Sequence, residues 1–300
     1  MLKMEKEIIE KYQKAGEISK KVKIYAKPKV KDGTKILELA ENIENKIKEL
    51  GGGIAFPTNI SINDMAAHYT PDINDETVIK KGDLVKVDVG IHVDGYIADT
   101  AFSVCVGEQS HELIKAAQDA VDSFIKNIRP GKTIREMSEL LEKVVLSHDV
   151  NPIRNLAGHS VDQYMVHGNL SIPPTKITNE QKIEEGTALG MEVFTTNGDG
   201  WVKESSPTLI YMLVFPKAVR MRESRIIMEK IVNDYKTLPF AKRWLKNTAS
   251  PFKLQLALKE LVNSGVLKEY PPLREKSGGT IAQVEETVLV FDKPIVTTKI

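Results

Sequence analysis

Val85-Lys86-Val87-Asp88-Val89-Gly90-Ile91-His92-Val93-Asp94-Gly95-Tyr96-Ile97-Ala98-Asp99-Thr100-Ala101-Phe102 is the stretch whose reading decides the fold. Asp94-Gly95 is a dipeptide favoured in two-residue hairpin loops, where both positions need positive φ. β-rich sequence flanks it on both sides. With Asp94 and Gly95 as the loop, Asp99 faces Gly90 across the hairpin. Side chains alternate between the two faces of a strand, so Asp88 shares a face with Gly90. Asp88 and Asp99 are then diagonal neighbours on one face. Two carboxylates buried side by side repel unless a proton or a cation compensates them. A pair of divalent metal ions meets that need.

The theme recurs further along. Gly82-Asp-Leu-Val-Lys-Val-Asp88 resembles Gly186-Thr-Ala-Leu-Gly-Met-Glu192, each a glycine six residues before a carboxylate at the entry to an apolar strand. The two segments read as one structural position in the two halves of a duplicated fold, and Glu192 is expected to point at the same centre as Asp88. His159, in Leu-Ala-Gly-His-Ser-Val, and Glu285, in Ile-Ala-Gln-Val-Glu-Glu-Thr-Val, complete a set of one imidazole and four carboxylates. Taken singly each has a plainer reading: a strand aspartate on a solvated face, a histidine packed in a core, a glutamate paired with lysine. Five at turn and strand positions, two of them in a repeated context, favour a shared centre. The spacing is far too wide for a local metal motif.

Ala55-Phe56-Pro57-Thr58-Asn59, Asn63-Asp64-Met65-Ala66-Ala67-His68-Tyr69-Thr70-Pro71, the Asp88/Asp99 hairpin, Gly158-His159-Ser160, Glu192-Val193-Phe194 and Gln283-Val284-Glu285 together resemble type 2 methionine aminopeptidases. The resemblance covers most of the chain, in that family's order. It implies an α+β pita-bread fold: a duplicated, mainly antiparallel sheet flanked by helices. Asp88, Asp99, His159, Glu192 and Glu285 would be the ligands of two divalent ions, Co, Mn, Fe or Zn. Asp88 would serve mainly one ion and His159 with Glu192 the other, with Asp99 and Glu285 bridging. Strand alternation does not choose between the adjacent Glu285 and Glu286, and the Gln-x-Glu match selects Glu285. His68 and His167 match the family's two non-ligand histidines, which face the substrate and assist catalysis. Phe56 and Val166 fall where its methionine pocket is lined. The implied reaction is attack of a metal-activated water on the first peptide bond. It removes the N-terminal methionine of nascent polypeptides whose second residue is small.

Composition narrows the class. The 300 residues are 41% hydrophobic and 28% charged, which describes a water-soluble chain with one large core. A single cysteine, Cys105, excludes a disulfide framework and a cysteine-based zinc finger. No leader-like N-terminus and no apolar run of membrane-spanning length is read, so a cytoplasmic protein without membrane association is expected. Nothing indicates an obligate interface, and a monomer is the expectation.

Apolar periodicity predicts a helix over the first ~20 residues, carrying Ile8, Ile9, Tyr12, Ala15 and Ile18. A second begins near Thr34 and stops at Gly51-Gly52-Gly53, a run that lacks the Gly-Lys-Ser/Thr of a phosphate loop. Leu113 to Ile128 reads as a third helix, and Thr133-Ile-Arg-Glu136 is a capping-box start for a fourth. The expected catalytic domain comprises residues 1–216 and 276–300. Residues 217–275 read differently: helical, winged-helix-like and edged by prolines. They hold 13 basic and 6 acidic residues, a charge of +7, which leaves −6 elsewhere given +1 overall. An insertion at this place is what separates type 2 from type 1 enzymes in the resembled family. Its basic balance raises a DNA-binding reading, against which stands a solvated helical lid without specific DNA affinity. Weak, salt-sensitive ribosome association through Lys242, Arg243 and Lys246 is a further expectation. An Xaa-Pro aminopeptidase or prolidase is the nearest alternative, and a non-catalytic binding relative of the same fold is another.

Overall fold

The computed structural model describes residues 4–300. A first half runs α1 (Lys6–Ala26), α2 (Ile36–Glu49), β1 (Gly53–Ile62), β2 (Met65–Ala67), β3 (Leu84–Val93) and β4 (Tyr96–Cys105). A second half follows as α3 (Glu112–Asn127), α4 (Ile134–Leu146), β5 (Asn151–Pro152), β6 (Gly158–Ser160), β7 (Ser171–Ile172), β8 (Ala188–Thr196) and β9 (Val202–Glu204). Next come β10 (Ile210–Leu213), α5 (Arg222–Asp234), β11 (Phe240–Ala241), α6 (Pro251–Asn263) and β12 (Leu267–Tyr270). The chain then returns through β13 (Leu273–Glu275), β14 (Ile281–Leu289) and β15 (Ile295–Val296).

The helices form where the apolar spacing predicts. Tyr12, Ala15, Ile18 and Val22 of α1 are buried, as are Ile36, Leu39, Ala40, Ile43 and Ile47 of α2. At the start of α4, Thr133 accepts from the Glu136 amide while Glu136 reaches back to the Thr133 amide, satisfying two otherwise unpaired donors. Among the described residues, no helix is long and apolar enough to cross a membrane.

The main sheet is antiparallel throughout, in the order β1-β3-β4-β14-β8-β6-β7. It reads outward from the β4–β14 junction as two copies of one arrangement: β4, β3, β1 on one side and β14, β8, β6 on the other. Asp88 is the fifth residue of β3 and Glu192 the fifth of β8, and Gly82 and Gly186 before them both have positive φ, 91° and 81°. The duplication expected from the two glycine–carboxylate segments is therefore a feature of the backbone. The hairpin register is as expected: Gly90 faces Asp99, with Asp94 and Gly95 both at positive φ. Helices α1 and α3 pack on one face of the sheet, leaving the other to carry the site.

The segment after β9 has its own apolar core, which includes Ile227, Ile231, Phe240 and Leu245 with the α6 stripe Leu254, Leu258 and Leu261. Strand pairing draws its edges earlier in the chain than 217 and 275. β10 pairs with β11 and β12, so residues 210–213 belong to the segment's small sheet, whereas β13 pairs with β2 and β9 of the main body. Pro271-Pro272 marks the true return. Pro216 misleads, because the strand before it has already crossed over.

Three basic residues of this segment are engaged within the chain itself. Lys242 pairs with Asp72 at 2.8 Å, Lys246 with Glu41 at 4.0 Å, and the buried Arg243 with Glu44. The expectation of ribosome contact through these three residues fails for Arg243, which is 4% exposed. The other two already face carboxylates of the main body.

Candidate metal centre

Four neighbouring strands each deliver one carboxylate to the open face. Asp88 on β3 is paired with Ala101 on β4, Ala101 with Glu285 on β14, and Glu285 with Glu192 on β8. Asp99 lies two residues before Ala101 on the same face, and His159 of β6 is paired with Gly190, two residues before Glu192. Strands are spaced about 4.8 Å apart, so side chains from this row converge. Ligand atoms of Asp99, His159 and Glu285 all lie within 4.8 Å of one another.

Small residues hold the space open. A Cβ on Gly190 would stand 2.9 Å from Glu285 Oε1 and 3.3 Å from both Asp99 Cβ and His159 Cε1. A Cβ on Gly90 would meet the Phe56 ring at 2.2 Å. Ala101 sits between Asp88 and Glu285 with only a methyl group.

Glu286 faces the other way. It is paired with the buried Lys23 of α1 at 3.0 Å, in a network with Thr100 and Thr298 behind the sheet. Of the two adjacent glutamates, Glu285 points into the site.

All nine residues singled out in the sequence line one cavity of about 340 Å³: Phe56, His68, Asp88, Asp99, His159, Val166, His167, Glu192 and Glu285. The sequence reading missed several others. Asn59 lies opposite Asp88 on β1 and lines the same cavity. Gln283 donates through Nε2 to Glu192 Oε2 at 3.1 Å and to Asp88 Oδ2 at 3.5 Å. Ile210, Pro239 and Tyr270 close the cavity from the helical segment. Tyr270 meets the His68 ring edge-on at 5.3 Å and stacks on His167 at 5.9 Å. Gln283 was legible, two residues before Glu285 on the same strand face. Tyr270, Pro239 and Ile210 were not, because only the docking of the segment brings them here.

The electrostatics fit a bound cation. Asp88 Oδ1, Asp99 Oδ1 and Glu285 Oε1 are buried and, among the described residues, have no hydrogen-bond partner. Burial pushes the Asp88 carboxyl up to about 7, opposed by the Gln283 hydrogen bond. Burial, and then the charges of its neighbours, holds each of Asp99, Glu192 and Glu285 well above the usual carboxylate range. Such a cluster is unfavourable ionised and alone, and a divalent ion removes the penalty. His159 is pushed down to about 4 by burial and is neutral near pH 7. Its Nδ1 lies 3.3 Å from the Ser160 carbonyl, an acceptor that favours the tautomer leaving Nε2 free to ligate.

His68 and His167 stand apart from the grouped Asp99, His159 and Glu285. Burial lowers His68 to about 4, and its backbone lies in the left-handed region at φ 59°, a conformation that costs a non-glycine residue and clusters at functional sites. His167 lines the cavity and is exposed. Enclosure by the walls, then His159, His68 and Lys268, still pushes its ring downward.

These shifts set a pH dependence. Asp88 is at 3.8 ordinarily and about 7 here, so the folded, metal-free protein holds an extra proton between those values and loses stability as pH rises through them. Asp99, Glu192 and Glu285 are raised in the same direction and act with the same sign. His68 and His159 act oppositely: lowered from 6.5 to about 4, they cost stability only as pH falls below about 6.5. Metal replaces the carboxyl protons. The melting temperature gap between Mn-loaded and metal-free protein is therefore expected to widen as pH rises towards about 7, the value to which Asp88 is raised. A constant or narrowing gap contradicts it.

The profile of metallopeptidase family M24 matches residues 10–290. The chain belongs to metallopeptidase family M24. A methionine aminopeptidase of Pyrococcus horikoshii is 45% identical over 293 residues, covering 97% of this chain and 99% of that protein. Methionine aminopeptidase 2-1 of Aspergillus flavus is 34% identical over 312 residues, covering 96% of this chain and 70% of that protein. Two solved structures are similar in fold at 21% identity. A thermophilic Arx1 has a TM-score of 0.88 and covers 98% of this chain and 91% of its own. The methionine aminopeptidase of Thermotoga maritima has a TM-score of 0.72 and full coverage of both. The duplicated sheet is thus the pita-bread fold of the family.

Proposed function

We infer that this M24 metallopeptidase is a type 2 methionine aminopeptidase that removes the N-terminal methionine from polypeptides with a small second residue. The carrying observation is the row of Asp88, Asp99, Glu285 and Glu192, joined by His159, on the floor of a cavity walled by apolar side chains. The name borne by close, nearly full-length relatives supports the same reading, and the relative named 2-1 supports the subtype. The proposed ligands are those five residues, and the donor set, oxygen with one imidazole nitrogen, suits Mn, Fe, Co or Zn. When bound, two such ions would supply Lewis acidity, lowering the pKa of a water and polarising the scissile carbonyl.

The chain's own groups do the rest. Phe56 and Val166, both buried, receive the methionine side chain, with Tyr270 closing the wall from the helical segment. Neutral His68 and His167 flank the scissile amide, where an imidazole can donate to a developing oxyanion or pass a proton to the leaving amine. Gln283 holds Asp88 and Glu192 in fixed orientation while leaving Asp88 Oδ1 free. The cavity is at the small end of the range for ligand pockets, which suits one terminal residue and a small neighbour.

Hydrolysis of Met-Ala-Ser, Met-Leu-Ser, Leu-Ala-Ser and an Xaa-Pro peptide by the Mn-loaded protein tests the reading. Met-Ala-Ser is expected to be cleaved fastest, by about tenfold or more over the others, in line with what a pocket contact is worth. Preference for Xaa-Pro would overturn it in favour of the prolidase reading.

A further inference from the structure

Arg243 lies buried at the seam between the helical segment and the main body. Its guanidinium donates through Nη2 to Glu44 Oε1, and through Nη1 to Thr70 Oγ1 and, at 3.3 Å, to the Pro71 carbonyl. Glu44 is the polar exception on the buried face of α2. It also accepts from Trp244 Nε1 at 2.9 Å and from the Thr58 amide at 3.2 Å. Thr70 closes the ring by donating to the Thr58 carbonyl at 2.9 Å. One connected network thus joins α2, β1, the loop after β2 and the turn Lys242–Leu245.

Each anchor stands close to the cavity. Thr58 lies between Phe56 and Asn59, Thr70 is two residues beyond His68, and Arg243 is four beyond Pro239; Phe56, Asn59, His68 and Pro239 all line it. On either side of Arg243, Lys242 meets Asp72 and Lys246 meets Glu41. The charge asymmetry in the sequence therefore has a partner inside the molecule: the basic turn docks on acidic groups of the body.

We propose that the Arg243–Glu44 pair is a positioning element of the substrate pocket, fixing the wall of Ile210, Pro239 and Tyr270 against the wall of Phe56 and His68. The proposal rests on this cavity being the methionine pocket assigned above. A buried ion pair seldom adds net stability over a well-packed apolar pair. A planar guanidinium that bonds three acceptors in one geometry does fix register, which lysine cannot reproduce. The pair touches no metal ligand, so its loss acts on substrate binding.

Arg243→Met, Arg243→Lys and the double variant Arg243→Met/Glu44→Gln are compared with wild type as Mn-loaded protein. The double variant removes the unpaired buried charge that the single Met variant leaves, and it carries the test if that single variant fails to fold. KM for Met-Ala-Ser is expected to rise about tenfold or more in all three, with kcat lowered by a smaller factor than KM rises and metal content within about twofold of wild type. In the double variant the melting temperature recovers towards wild type and KM does not. Hydrogen exchange at residues 56–59 and 68–71 is expected to quicken in that variant. KM near wild type in the folded double variant, or KM recovering together with melting temperature, would overturn the proposal. Wild type that spares Met-Ala-Ser overturns the assigned activity instead; the exchange comparison then still tests the joint, and unchanged exchange at those residues overturns it.

Discussion

Asp99→Asn is expected to lower kcat/KM for Met-Ala-Ser by about three orders of magnitude or more and to strip the protein of bound metal. The size follows from losing several kcal/mol of transition-state stabilisation at a metal site, each 1.4 kcal/mol being about tenfold. Asp99 is the carboxylate with most at stake. It is 2% exposed, its ligand atom is grouped with those of His159 and Glu285, and it lies diagonal to Asp88. Asparagine keeps the shape but removes the charge and turns one acceptor into a donor facing other carboxylates. The fold should survive, because the Asp99 backbone remains tied to Thr287, amide to Oγ1 and hydroxyl to carbonyl, both at 2.7 Å. Elemental analysis and kinetics on one preparation check this. Full metal content with an undiminished rate would remove Asp99 from the ligand set.

His68→Ala and His167→Ala are expected to show the opposite division: metal retained, kcat lowered by about 10²–10⁴, and KM changed far less. Neither ring shares the ligand group of Asp99, His159 and Glu285. Both face Tyr270 across the cavity, where a scissile amide would lie. The strained backbone of His68 argues that its ring is held there at a cost the fold bears for function. Metal lost from either variant would make that histidine a ligand.

Much of this site could be read from the chain, because it rests on local rules. The Asp94-Gly95 turn sets the hairpin register, and period-two alternation then places Asp88 and Asp99 on one face. The glycine–carboxylate repeat points to Glu192 through a duplication that the strand order displays directly. Glu285 against Glu286 was not decidable by alternation alone, since both faces of β14 are buried. What decides it is Lys23, which reaches Glu286 from a helix 263 residues away in sequence. The contribution of the helical segment was illegible for the same reason: Ile210, Pro239 and Tyr270 line the cavity through contacts between residues distant in sequence. Net charge misled there, for a basic run reads as a surface for an outside partner until its internal carboxylates are known.

The most direct measurement is a Mn titration of chelator-stripped protein, following bound metal and Met-Ala-Ser hydrolysis on the same samples. The five proposed ligands on β3, β4, β6, β8 and β14 predict that turnover is absent without metal and rises with bound ion, to at most two per chain. Undiminished turnover in the fully stripped protein, or turnover that does not follow bound metal, would contradict a metal centre built on these residues.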